Sequence, residues 1–147
     1  MRFLGIDYGA RRIGLALSDH LATVARPWQV VTAAGSAAAS AKRLVPVISD
    51  LRASDDPELD GLVVGLPRRL NGDDTDQTPA VRVFAEVLAE HTGLPVVLQD
   101  ERLSSVEAEA RLADRGADWR ERKRLVDAEA AAIILQDFLD GRERRPA

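Results

Sequence analysis

The sequence predicts an α/β sandwich built on a mixed five-stranded sheet, and three observations carry that expectation. The first thirty residues read as three strands in succession, separated by short turns. Two further short apolar runs, 61–66 and 96–98, alternate with stretches of helical period. After them come helical patterns and no further strand. A meander followed by alternating helix and strand places helices against a sheet that combines antiparallel and parallel pairs.

Taken in order, residues 2–7 (RFLGID) are apolar and end at Asp7, and YGARR supplies a glycine-containing turn. Residues 13–18 (IGLALS) alternate large and small. Ile13, Leu15 and Leu17 share one face, while Gly14, Ala16 and Ser18 leave the other open to a closely packed helix. A third strand fits 24–31, and Pro27 within it marks an edge or a strand start. Residues 36–53 are Ala-rich and helical in period, ended by the breaker SDDPELDG. The run GLVVGL (61–66) is typical of a strand covered on both faces. The polar loop PRRLNGDDTDQT precedes a helix at 78–91, which Gly93-Leu94-Pro95 terminates. Val96-Val97-Leu98 reads as a second buried strand, and helices are expected at 104–115 and 121–140.

A chain of 147 residues suits one domain, expected over 1–140 with a basic tail at 141–147, and buries about two-thirds of its unfolded surface. Apolar residues make up 46% and charged residues 30%, the balance of an ordinary globular protein. The absence of cysteine excludes thiol nucleophiles, disulfides, Fe–S clusters and cysteine-ligated zinc. His20 and His91 stand too far apart in sequence for a local two-histidine metal motif. The N-terminus MRFLGIDYG has no secretory apolar region, and no run approaches the ~18 apolar residues of a membrane span, so a cytoplasmic location with no membrane partner is expected. A net charge of -4 argues against a tight, constitutive polyanion binder. Basic residues do cluster at Arg11-Arg12, Arg68-Arg69, 120–124 and 142–145, where a solvated surface is the plain alternative.

Three carboxylates stand in awkward places. Asp7 ends an apolar strand, where it either caps the turn or faces a site. Glu101 follows VVLQ, beside a capping-box pattern at Ser104 and Glu107, so it lies at the strand edge where α/β sheets bind ligands. The neighbouring Asp100 points to the opposite side, and both acids being merely solvated is the alternative. On the last helix Asp127 shares its stripe with Ala130, Ala131, Ile134 and Phe138, leaving Glu129, Gln136 and Asp140 on the polar side. A carboxylate facing the sheet needs a partner, either an arginine from the sheet or a metal ion. Three converging acids repel by roughly 4 kcal/mol per pair at ~4 Å and an effective dielectric near 20. Divalent cations relieve that repulsion, and hard oxygen ligands select Mg2+ or Mn2+. One or two such ions activate water for phosphodiester hydrolysis.

The blocks DYGARRIGLALSD, GLVVGLPRRLNG, LPVVLQDERLSSVEAEARL and VDAEAAAIILQDFL together resemble the YqgF (RuvX) family of pre-16S rRNA nucleases. The likeness runs in order from residue 2 to about 140. It implies a ribonuclease H-like fold with strand order 3-2-1-4-5, related to RuvC-type Holliday-junction resolvases. It also places the catalytic, metal-holding acids at Asp7, Glu101 and Asp127. The 67–78 loop then rims the site, with Arg68, Arg69, Asn71, Arg102 and Arg11 as the substrate-binding set, guanidinium forks being suited to phosphate. Arg102 pairing with a neighbouring acid is its alternative. Ser104-Ser105 stand where family members usually carry threonine, and a fourth acid has no counterpart.

The expected function is therefore a Mg2+- or Mn2+-dependent nuclease, a monomer or weak dimer, that trims the 5′ end of pre-16S rRNA, with the ribosomal small-subunit precursor as a partner. Branched-DNA resolution is the nearest alternative and needs two sites presented by a dimer. Asp7-Tyr8-Gly9 through Gly14 also resembles the first phosphate loop of actin-like ATPases, although one such domain does not enclose ATP. A non-catalytic RNA-binding assembly or transcription factor is the third class.

Overall fold

The computed structural model describes residues 1–54, 58–101, 110, 111, 113, 114 and 119–143, with no side-chain description for 119–124 and 143. Strand β1 (Arg2–Tyr8) turns back at Gly9 into β2 (Arg12–Ser18), the Gly9 N–H donating to the Arg12 carbonyl at 2.9 Å. The next turn is organised by Asp19. Its carboxylate accepts from the Thr23 and Val24 N–H groups and from the Thr23 hydroxyl, at 2.7, 3.1 and 2.6 Å. These bonds hold Asp19 down at about 2. Strand β3 (Ala25–Thr32) then pairs antiparallel with β2.

The rest of the sheet is parallel. Strand β4 (Leu59–Pro67) lies beside β1, and β5 (Val96–Glu101) lies beside β4. The order is β3-β2-β1-β4-β5, as expected. Helices α1 (Ala37–Ser54), α2 (Thr78–Thr92) and α3 (Trp119–Glu143) complete the described elements. α2 ends where expected because Gly93 takes the left-handed conformation, φ 71°, and its N–H reaches back to the Ala89 carbonyl.

The two faces of the sheet differ in bulk, and that difference positions the site. Leu4, Ile6, Ile13, Leu15, Leu62, Val64 and Leu66 form one core with Leu44 and Ile48 of α1 and Val81, Phe84 and Leu88 of α2. The opposite face carries small residues. Gly5, Gly14, Ala16, Val63 and Gly65 let α3 lie almost on the backbone, packed through Ala131, Ile134, Leu135 and Leu139. A Cβ on Gly5 would stand 2.7 Å from the Leu135 Cβ and 2.9 Å from the Ala131 carbonyl. The split of β2 into a large and a small face is borne out. Farther along α3, Phe138 meets the Phe3 ring edge to face at 5.2 Å, and the Arg142 guanidinium sits 4.9 Å above Phe3.

Three expectations need correction. β5 is not a buried strand: it is an edge with Val97 exposed, because among the described residues no strand pairs beyond it. Glu129 does not lie on a polar side of α3. It is 3% exposed, with Arg111 at 3.9 Å, because α3 is covered on more than its sheet face and is buried throughout 128–135. Gln136 is half-buried as well; it accepts from the Ala25 N–H and donates to the Thr23 carbonyl, both at 2.9 Å. Most of the helix expected at 104–115 lies outside the described residues, as do 144–147 of the basic tail. Gly141, Arg142 and Glu143 are the last residues of α3. No helix among the described residues is long and apolar enough to cross a membrane.

Candidate active site

Strand parity puts Phe3, Gly5 and Asp7 of β1 on the α3 face, with Asp7 at the C-terminal end. Gly14 is the register partner of Asp7 on β2 and lies directly beneath Asp127 of α3. Glu101 ends β5, and its carboxyl lies over Gly65 of β4, where a Cβ would come within 2.8 Å of Oε2. Two glycines thus open the space in which acids from β1, β5 and α3 meet, at the C-terminal ends of three parallel strands. Open α/β sheets bind their ligands at that edge.

Asp7 feels both neighbours. Burial is the main cause that pushes its carboxyl up to about 6, and the negative charge of Asp127 adds to the rise. A hydrogen bond with the Glu101 side chain acts in the opposite direction. Two carboxyl groups in such contact share a proton, which is the place a cation takes when it binds. Asp127 is partly exposed and accepts a hydrogen bond from Arg12 Nε at 2.7 Å. The arginine alternative for the partner of Asp127 is therefore present, while the charge of Asp127 still reaches Asp7. Among the described residues no three acidic or histidine side chains are drawn to the spacing that encloses a metal ion. The donor chemistry nevertheless fits a hard divalent cation: hard oxygen ligands, a proton-sharing pair and a third acid one ion pair away.

Sequence reasoning names Arg12 only within the Arg11-Arg12 basic cluster, assigns Arg11 to the substrate, and leaves the arginine that meets Asp127 unidentified. The signal was available, since Arg12 begins β2 and shares the parity of Gly14 and Ala16, whose face meets α3. Arg11 lies in the turn before the strand and is exposed.

The 67–78 loop is a compact turn built by its own polar groups. Arg68 forms an isolated bridge with Asp74, donates from its terminal nitrogen to the Gly72 carbonyl at 2.8 Å, and sets Nε 3.5 Å from Asp74 Oδ1. Arg69 Nε donates to the Asp74 carbonyl at 3.3 Å, and Asn71 brackets Asp73. Buried Thr78 fastens the loop to the end of β4 through the Pro67 carbonyl at 2.7 Å. Pro67 is the register partner of Glu101, so the loop does begin beside the acids. Arg102, Ser104, Ser105 and Glu107 lie outside the described residues, as do the side chains of the 120–124 run.

A 3-2-1-4-5 sheet, bare on one face beneath a long helix and carrying acids at the ends of its strands, defines a ribonuclease H-like protein. The chain belongs to the RuvX family, whose model, described as Holliday junction resolvase, matches residues 1–141. It is 47% identical over 142 residues to a protein of Anaeromyxobacter sp. (strain Fw109-5) named "Putative pre-16S rRNA nuclease", covering 97% of this chain and 98% of that one. A protein of the same name from Pelotomaculum thermopropionicum is 38% identical, covering 100% of this chain and 93% of its own. Among solved structures, T. thermophilus RuvC in complex with Holliday junction substrate superposes with a TM-score of 0.56 at 19% identity, covering 98% of this chain and 96% of RuvC. The fowlpox virus Holliday junction resolvase gives 0.52 at 9% identity, covering 96% and 99%. These two likenesses show the ribonuclease H-like fold.

Proposed function

We propose that this protein is a metal-dependent nuclease that hydrolyses phosphodiester bonds, with the 5′ leader of precursor 16S rRNA as its substrate. The observation that carries the reading is Asp7: a carboxyl held at about 6 by burial and by Asp127, while bonded to Glu101. At neutral pH such an arrangement costs the fold stability, because the charged form is penalised. It is the arrangement a cation relieves. Membership of the RuvX family and the name shared by the relatives support nuclease chemistry on RNA.

Asp7, Glu101 and Asp127 are the residues that would hold Mg2+ or Mn2+. The ion, when bound, supplies Lewis-acid polarisation of the phosphodiester and a more acidic water nucleophile. On becoming ligands, Asp7 and Glu101 would give up the proton that their hydrogen bond shares. Arg68 holds the turn of the 67–78 loop through Gly72 and Asp74 and presents Arg69 and Asn71, which with Arg11 and Arg102 are the residues proposed to meet the substrate backbone. We also propose a single domain that runs through α3 to Glu143, a cytoplasmic location, the small-subunit precursor as partner, and a monomer or weak dimer.

The family description and the fold shared with RuvC favour a second substrate, branched DNA. One experiment separates the two. Purified protein with Mg2+ or Mn2+ is given a labelled pre-16S 5′-leader RNA and a labelled four-way DNA junction, with Asp127→Asn run in parallel. RNA cleavage lost in the variant is expected. Junction cutting alone would move the activity to recombination, and cleavage of neither substrate, with tight RNA binding unchanged in the variant, would leave an RNA-binding assembly factor.

A further inference from the structure

The partner of Asp127 is itself unusual. Arg12 meets it through Nε alone at 2.7 Å, and neither terminal nitrogen makes a hydrogen bond among the described residues. The Arg12 side chain is 46% exposed and that of Asp127 is 23% exposed, so the pair stands at the rim in contact with solvent. Exposed pairs of this kind are held weakly and exchange readily. The carboxylate they involve is the same one whose charge raises Asp7. Arg12 therefore supplies, from the first residue of β2, positive charge to a site rich in carboxylates, on a half-exposed side chain whose terminal nitrogens make no hydrogen bond among the described residues. A guanidinium so placed suits one phosphate of a polynucleotide backbone.

We infer that Arg12 is a positioning residue with two partners: Asp127 while the acids carry no cation, and a backbone phosphate of the nucleic acid once a divalent cation claims Asp127. The inference rests on the reading of Asp7, Glu101 and Asp127 as the cation site. Its consequence is coupling. A cation that takes Asp127 releases Arg12 toward phosphate, and a phosphate that holds Arg12 releases Asp127 toward the cation, so each ligand strengthens the other by the same factor.

The test measures binding, not turnover. Mn2+ uptake is followed by the paramagnetic resonance of the free ion in wild type, Arg12→Gln, Arg12→Lys, Arg43→Gln and Asp7→Asn. Affinity for a fluorescent single-stranded RNA oligonucleotide is followed by anisotropy with and without Ca2+. Arg12→Gln should bind Mn2+ about fivefold more tightly than wild type, the scale of losing one exposed ion pair. It should also lose the gain in RNA affinity that Ca2+ gives wild type, and Arg12→Lys should restore both behaviours. Arg43→Gln removes an equal charge from α1, where Arg43 serves the Thr32 and Ala33 carbonyls, and should leave Mn2+ affinity unchanged. Melting without metal confirms that each variant is folded. Mn2+ uptake that depends on Asp7 but is the same in wild type and Arg12→Gln overturns the inference and leaves the cation site standing. An equal gain in Arg43→Gln overturns it too, by reducing the effect to net charge. No uptake by either wild type or Arg12→Gln removes the cation site and the inference together.

Discussion

The carbonyl of Asp127 fills the space in which a Cβ on Gly14 would stand, and Gly14 is in register with Asp7. A missing side chain on β2 thus sets how closely the acid on the helix approaches the acid on the strand. Gly14→Ala forces backbone against backbone, so α3 must lift. Overpacking of this kind costs about 3 kcal/mol or more. Urea denaturation should show that loss, and Mn2+ uptake by the folded fraction should fall with it. A variant that melts and binds as wild type would show that close packing of α3 does not set the site.

Gly65 tests the same principle from the other side. A Cβ there would meet Ile134 Cδ1 at 2.6 Å and the Glu101 carboxyl at 2.8 Å, both ends of side chains that can turn away. Gly65→Ala should therefore cost only about 1–2 kcal/mol in stability. It should displace Glu101 from Asp7 and lower cleavage by tenfold or more, on the order of one misplaced ligand. Melting temperature and cleavage rate measured on one preparation check the pair of effects.

The alternation of IGLALS exposed the sheet's division into a bulky and a bare face, because period 2 is a local property of the chain. The apolar neighbours of Asp127 pointed to the right helix face, since a charge within such a stripe must be compensated. Glu129 defeated the same wheel: α3 is buried all round its middle, and a helical wheel assumes one wet side. The length of β5 and its edge exposure depended on what pairs beyond it, which no local pattern encodes. Arg12 was legible only by counting parity from Gly14 back to the start of the strand.

The stability of the cation-free protein should fall as pH rises through about 6. Folded Asp7 titrates at about 6 against an ordinary 3.8, so the folded state binds its proton more tightly. Its contribution is fully present below 3.8 and is lost as pH climbs past about 6. The shift of about two pH units corresponds to roughly 3 kcal/mol. Asp19 acts in the opposite sense: its contribution is present above 3.8 and lost as pH falls toward about 2. Chemical denaturation in EDTA at pH 5.0 and 7.5 reads roughly half of the Asp7 effect, because the rest is lost between 3.8 and 5.0 as the unfolded chain ionises. Asp7→Asn should abolish the difference, stabilise the cation-free protein at pH 7.5, and eliminate cleavage.

Cation uptake should release a proton near pH 6, because Asp7 must ionise to become a ligand. Calorimetric titration of Mn2+ at pH 6 in two buffers of different ionisation enthalpy should give apparent heats that differ. At pH 8, where Asp7 is already ionised, the two heats should converge. Equal heats at pH 6 would mean that the ion binds without disturbing Asp7.

The arginines at the head of the 67–78 loop should separate by salt. Arg68 spends its guanidinium on the Gly72 carbonyl and Asp74, and its Nε is buried; Arg69 is exposed and makes one long bond to the Asp74 carbonyl. Removing a group that touches a phosphate lowers the dependence of log affinity on log salt by about one unit. Removing a group that only shapes the loop weakens binding without changing that slope. Arg69→Ala should therefore flatten the salt dependence of RNA affinity. Arg68→Ala should weaken binding at every salt concentration with the slope retained, and should cost about 1–2 kcal/mol in stability through the hydrogen bond it abandons. If instead Arg68→Ala flattens the slope, its guanidinium leaves Gly72 and Asp74 to meet the substrate, and the turn seen here belongs to the free protein alone.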